Sequence, residues 1–182
     1  MIVTITPIKN LQLDKVHFHS VRIGDNPERP SEFKDFYNRM KLTTKNLNDF
    51  NELREFMQQV GVIYGAIDSK FKPEGSAERL NQPIEIIEVE NDKDGDNDYG
   101  LRLYCLRIGP NNVILFNGDR KTVANDVMKC ENCRPYFLRA NSLATLINDA
   151  FINEDIYIEN TFEIKTKQGF VLNVEDYGQR QH

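Results

Sequence analysis

Tryptophan is absent from this 182-residue chain, and cysteine and histidine occur three times each. Three cysteines are too few, and an odd number, for a disulfide-stapled secreted scaffold, so a reducing, cytoplasmic setting is expected. No apolar run approaches the roughly 18–20 residues needed to cross a bilayer, so no membrane association is expected. The first residues, Met1-Ile2-Val3-Thr4-Ile5-Thr6-Pro7, lack the basic start and long apolar stretch of a signal peptide and alternate as a strand does. An excess of positive charge is missing too. At a net charge of −5 the chain is not a generic phosphate binder, whose affinity would come from neutralising many phosphates.

What is present is globular: 40% hydrophobic and 28% charged residues, in a length that can bury a full core. A single domain over 1–182 is expected. The charge is unevenly spread. From Leu101 to Ala140 seven Lys/Arg face three Asp/Glu, a local +4 that leaves −9 for the rest of the chain. Such a basic centre is compatible with a phosphate-facing groove.

The spacing of apolar residues predicts strands at 1–6 and 16–23. A helix over 31–41 is expected, capped by Ser31, with Phe33, Phe36, Tyr37 and Met40 on one side. A second, over 48–60, carries Phe50, Leu53, Met57 and Val60 and ends at Gly61. An irregular stretch, 68–83, precedes β-rich segments at 84–90, 101–108 and 112–117, the last two joined by Gly109-Pro110-Asn111. Asn141 can cap a third helix with Leu143, Leu146, Ile147, Ala150 and Phe151 on one side. The tail, 156–174, reads as one or two strands turning at Thr166-Lys167-Gln168-Gly169. The expected fold is α+β: an antiparallel sheet with helices packed on one face.

Two stretches carry a resemblance. Gly100-Leu101-Arg102-Leu103-Tyr104-Cys105-Leu106-Arg107-Ile108, followed by Val113 to Asn117 and then Gly118-Asp119-Arg120-Lys121-Thr122, is similar to the central hairpin of RelE/HigB-like toxins. There an arginine-bearing strand pairs with an apolar one that ends in a glycine and a basic K/R-K-T. Phe71-Lys72-Pro73-Glu74-Gly75 resembles the segment before those strands. The resemblance to the RelE/ParE-type superfamily implies a β-α-α-β-β-β core, about 16–125, with a C-terminal helix and hairpin extension, about 126–182. It also implies the toxin of a type II toxin–antitoxin system, cleaving mRNA on the ribosome and restrained by an antitoxin protein.

Such cleavage needs the 2′-OH activated, the leaving oxygen protonated and the added negative charge stabilised, and Arg and Lys can supply the charge with no metal or cofactor. Strand alternation sends Leu101, Leu103 and Cys105 one way and Arg102, Tyr104 and Leu106 the other. The expected catalytic residues are Arg102 for the phosphate, Tyr104 for base stacking or proton transfer, and Lys121; Arg107, Arg120 and Lys72 are expected to bind substrate. The bland alternative is that these are ordinary solvated or cross-strand charges. The overall acidity and the C-terminal strands point to a rival function, a non-catalytic protein-binding module on the same fold.

Three other constellations stand apart. Cys130-Glu131-Asn132-Cys133 is a CxxC, but a zinc site wants two further ligands. A redox site wants the motif after a strand, at a helix start within a βαβ unit, a context the sequence does not offer; the expectation is an incidental pair in a loop. Asp92 to Asp98 superficially matches a calcium loop, yet the sixth and twelfth positions from Asp92 are Asn97 and Leu103 rather than Gly and Glu. His17 and His19 share one side of an early strand.

Overall fold

The computed structural model describes residues 1–80, 99–124 and 126–174. The expected strand at 84–90 and the acidic run 92–98 lie outside the described residues. Among those described, β1 (Ile2–Gln12) and β2 (His17–Ile23) form an antiparallel pair, followed by α1 (Glu32–Met40) and α2 (Thr44–Gln59). Next come β3 (Phe71–Glu74), β4 (Ala77–Leu80), β5 (Leu101–Ile108) and β6 (Asn112–Arg120). α3 (Arg134–Ile152) and the short strands β7 (Ile156–Glu159), β8 (Glu163–Thr166) and β9 (Leu172–Asn173) complete the order. The fold is α+β with a mostly antiparallel sheet, in the order β3-β4-β5-β6-β2-β1-β9, and a separate β7–β8 hairpin.

The helices begin where capping chemistry allows. The Ser31 hydroxyl accepts from Lys34 N at the start of α1, and the Thr43 hydroxyl accepts from Asn46 N at the start of α2. Gly61 does not end α2. The chain continues through a π-helical turn, Val60–Tyr64, and the positive-φ residue is Gly65, at +80°. Gly61 serves instead as a point of close approach, since a Cβ there would lie 2.2 Å from Leu13 Cδ1.

The helices do not share one face of the sheet. Phe36, Met40, Phe50, Leu53, Phe56 and Met57 from α1 and α2 bury Phe18, Leu101, Leu103, Cys105, Val113 and Leu115. On the other face Ala140, Leu143, Ala144, Ile147 and Ala150 of α3 cover Val21, Tyr104, Leu106, Ile108, Ile114 and Phe116. The expectation of helices on one face is thus corrected to a sheet covered on both. The reason is visible in β5: residues 103–106 are all buried, because both sides of the strand meet a helix.

One pairing organises this arrangement. β2 runs parallel to β6 from His17↔Asn112 to Ser20↔Leu115, and the two separate beyond that point. β2 then leads to α1 on one face, while β6 leads to α3 on the other. β6 carries one extra residue in its pairing with β5: Leu103 pairs with Gly118, but Cys105 pairs with Leu115. Among the described residues, no helix is long and apolar enough to cross a membrane.

If α3 is docked through this face, Leu143→Ala should cost about 2–5 kcal/mol. The exposed Leu138→Ala on the same helix should change stability by less than about 0.5 kcal/mol. Urea unfolding of the two variants checks the contrast.

Candidate functional site

The six residues singled out in the sequence divide between the two faces. Arg102 pairs with Asp119 across β5–β6, and the backbone N–H of Lys121 donates to Gly100 O at 3.0 Å, extending the ladder by one step. Alternation therefore sets Arg102 and Lys121 on one side, next to the start of α3. Arg102 Nη1 donates to Tyr99 O at 2.8 Å and Leu101 O at 3.3 Å, which aims the guanidinium along the end of the strand pair.

Arg107 and Arg120 occupy the opposite face. Arg107 grips both oxygens of Glu78, at 2.7 and 2.8 Å, reaches Asp68 at 2.6 Å and lies over the Phe71 ring. The hydrogen bonds to Glu78 drive the pKa of this guanidinium further upward. Arg120 donates to Asn46 Oδ1 at 2.9 Å and forms an ion pair with Asp49, both on α2. The two arginines hold α2 and the β4–β5 pair in place, on the face turned away from Arg102.

Tyr104 is fully buried, its ring 5.9 Å from that of Phe137 in an edge-on contact beneath α3. Stacking on a nucleobase would require α3 to leave. Lys72 stands on β3 opposite Arg79, and Arg79 stands on β4 opposite Tyr104. Register carries Lys72 and Arg79 onto the same face as Arg102, and Arg79 lies diagonally from Arg102, at roughly 7–8 Å between Cα atoms. Arg79 was missed because 68–83 reads as irregular. The signal was there: Gly75-Ser76 separates two short alternating runs, a two-residue hairpin turn, and Gly75 has φ +76°. The face thus presents Lys72, Arg79, Arg102 and Lys121.

A second group, also unread in the sequence, fills the opening where β2 and β6 separate. Arg39 of α1 donates to Asp119 Oδ2 at 2.6 Å, Asn117 Oδ1 at 2.5 Å and Gly118 O at 2.6 Å, and its guanidinium lies 4.4 Å from the centre of the Tyr136 ring on α3. Asn117 Nδ2 donates to Glu32 Oε2 at 3.1 Å and Asp35 Oδ2 at 3.0 Å, and Arg139 of α3 reaches the same Glu32 at 3.3 Å. Crevices beyond the carboxyl ends of diverging parallel strands are where open α/β sheets hold ligands. Here side chains fill the gap and tie both helical layers to the end of β6. Gly118 is required instead by the close approach of the β5 backbone, since a Cβ there would sit 1.7 Å from Arg102 O.

The histidines lie at the other end of the parallel pair. His19 Nε2 is 3.2 Å from Asn112 Oδ1, and His17 stacks on Phe162 with ring centres 4.2 Å apart. Burial holds the His19 imidazole below its ordinary pKa, against the opposing bond to Asn112, and so keeps it neutral. The CxxC lies in the turn between β6 and α3, as expected of a loop pair: Cys130 follows the short 3-10 turn Val127–Lys129, and Cys133 is the N-cap residue of α3. Among the described residues no group of three or more His, Cys, Asp or Glu is placed to hold a metal ion.

Comparison with known proteins finds no matching family model, curated protein or solved structure.

Two outcomes test this geometry. Arg39→Met keeps the alkyl stem but strands Asp119, Asn117 and Gly118 O, and should cost about 2–3 kcal/mol in urea unfolding. His19, with a depressed folded-state pKa, binds its proton more readily when unfolded. Stability should therefore fall as pH drops below about 6.5, and His19→Gln should flatten that slope in unfolding measured from pH 7 to pH 5.

Proposed function

We propose that this chain is a RelE/ParE-type toxin, an endoribonuclease acting on translated mRNA without a metal and restrained by an antitoxin protein. The observation that carries the reading is the shared face of Lys72, Arg79, Arg102 and Lys121 beside the start of α3. It supports the resemblance in two ways. The Arg-bearing strand and the K-T ending, which carry the likeness in sequence, are brought side by side by strand register. The two helices between β2 and the later strands also agree with the β-α-α-β start expected of the family, with β3 and β4 standing ahead of β5 and β6 and the expected strand at 84–90 outside the described residues.

In this reading Arg102 and Lys121 hold the non-bridging oxygens of the scissile phosphate and compensate the charge that grows as the 2′-oxygen attacks. Lys121 is the ammonium at hand to protonate the leaving 5′-oxygen. Arg79 and Lys72 extend the cationic row to flanking phosphates. Tyr104 takes no part, since it is buried against Phe137, and Arg107 and Arg120 act on the fold from the other face.

A rival reading, a non-catalytic protein-binding module, is favoured by one observation. Ile63 and Ile67, 57% and 46% exposed, flank Tyr64 in a short apolar stretch after α2. Exposed apolar surface of this kind marks protein contacts. An antitoxin would use it equally.

The test is induction of the chain alone in bacterial cells, with growth and mRNA ends measured. Growth arrest with new ends inside coding regions is expected. Arg102→Ala with Lys121→Ala should abolish both, and Arg79→Ala should weaken them. Normal growth and intact mRNA, from soluble folded protein, would sink the nuclease and leave the binding module.

A further inference from the structure

We propose that Cys130 and Cys133 are a reversible redox pair, a dithiol that a hydroperoxide closes into an intramolecular disulfide at the start of α3. The proposal concerns the chemistry of the thiols and stands whether or not the chain cuts RNA.

The placement of the motif is the first ground. β6 ends at Arg120, a short 3-10 turn covers Val127–Lys129, Cys130 caps that turn, and Cys133 is the N-cap of the 19-residue α3. A CxxC that leads from a strand into a helix shares part of the setting in which such pairs exchange electrons, although α3 is not the crossover of a βαβ unit, because the strand after it, β7, pairs only with β8. Unpaired N–H groups and the helix dipole there favour a thiolate.

The contacts are the second ground. The Cys130 sulfur lies 3.7 Å from Thr122 Oγ1 and 3.9 Å from Arg120 O, while Cys133 Sγ donates to Asp119 O at 3.4 Å. Both thiols thus rest against consecutive carbonyls at the end of β6, three residues apart in one turn. The environment also separates their roles. Burial acts to raise the Cys130 thiol, but the backbone N–H groups of Thr122 and Cys133 and the Thr122 and Cys133 side chains outweigh it, and the net shift is downward. Burial pushes Cys133 strongly up, reinforced by the charge on Cys130 and opposed by Arg102. Both residues are fully buried, so their environments rather than their exposure tell them apart. Cys130 is the attacking thiolate, and Cys133 is the resolving thiol.

A metal does not account for the pair, because two thiolates are half of a structural zinc set and no third ligand stands beside them among the described residues. Cys105 lies in the core beneath α1 and α2, with burial raising its pKa well above the ordinary value, and serves as an internal control.

The reaction balances with hydrogen peroxide as oxidant. The Cys130 thiolate attacks one peroxide oxygen, the O–O bond breaks, and the departing hydroxide takes up a proton as water. The resulting sulfenic acid is attacked by Cys133, which gives up its proton as the S–S bond forms and the hydroxyl leaves as a second water. The dithiol loses two electrons and the peroxide gains them; an external dithiol reverses the step. Closure removes the Cys133 bond to Asp119 O, on the strand position opposite Arg102.

The experiment treats the full folded chain with hydrogen peroxide, quenches, then unfolds it in iodoacetamide and digests it with trypsin. Residues 130–139 form one peptide, because cleavage does not occur between Arg134 and Pro135. The expected result is a peptide two hydrogens lighter that carries no alkyl group, restored by dithiothreitol, with Cys105 still alkylated. Closure should be at least ~10-fold faster in the folded chain than in guanidinium, since only the fold activates Cys130. In Cys133→Ser, dimedone should trap the sulfenic acid on Cys130. Two alkylated thiols after peroxide, loss of Cys105 at the same rate, or equal closure rates in the folded and unfolded chain would each overturn the proposal.

Discussion

The parallel pairing of β2 with β6 over four residues decides most of what surrounds it. An antiparallel neighbour could have been reached by a tight turn, but a parallel one needs a long crossover, and α1 and α2 with the β3–β5 strands fill that interval. Because β2 and β6 point the same way, both helices that follow them start from the same end of the sheet. α1 takes one face and α3 the other. The sheet is therefore buried on both sides, and the strands part just where the helices depart. Water would enter that opening. Arg39, Glu32, Asp35, Asn117 and Asp119 occupy it instead, each satisfied by the others, so that a polar gap inside the fold becomes a brace between its layers.

The brace also fixes the end of β6, the segment with the most chemistry. A half-buried guanidinium that meets a carboxylate, an amide and a backbone oxygen leaves β6 little freedom at Asn117–Asp119. Opposite that rigid segment sits Arg102, and just past it come Lys121 and the turn into the thiols. Side chains that must act on a phosphate gain from being held by strands rather than loops, because little entropy remains to be lost on binding.

Much of this was legible in the sequence, and the misses have physical causes. The division of β5 into Leu101, Leu103, Cys105 against Arg102, Tyr104, Leu106 holds, because a two-residue period admits no other arrangement. What that period cannot say is whether the second side meets water or a helix, and Tyr104 was misplaced on that account. The apolar positions Leu143, Ile147 and Ala150 showed that α3 has a face to bury, but not which side of the sheet would receive it. Capping chemistry alone starts α3 about two turns too late. Asn141 is a good cap by composition, yet its carboxamide oxygen accepts from Ser76 N and Ala77 N at the β3–β4 turn. That single substitution of a long-range contact for a local one brings the start of α3 up to the CxxC turn. The only local signal of the Arg39 brace was its i,i+4 pair with Asp35 on α1, because its other partners lie about eighty residues away.

Net charge is the other property that the fold redistributes. Of the seven cations between Leu101 and Ala140, Arg107, Arg120 and Arg139 are paired with carboxylates from β4, α2 and α1 and serve the fold. The remaining four, Arg102, Lys121, Lys129 and Arg134, all belong to the passage from the β5–β6 end into α3. The field of the overall −5 charge is largely damped beyond the screening length of about 8–10 Å. Within that length a polyanion meets the local arrangement, and the register of β3, β4 and β5 adds Lys72 and Arg79 to it. The acidity of the chain is therefore compatible with the phosphate-facing site proposed above: the first bears on solubility, while the second depends on which few cations the strands bring to one face.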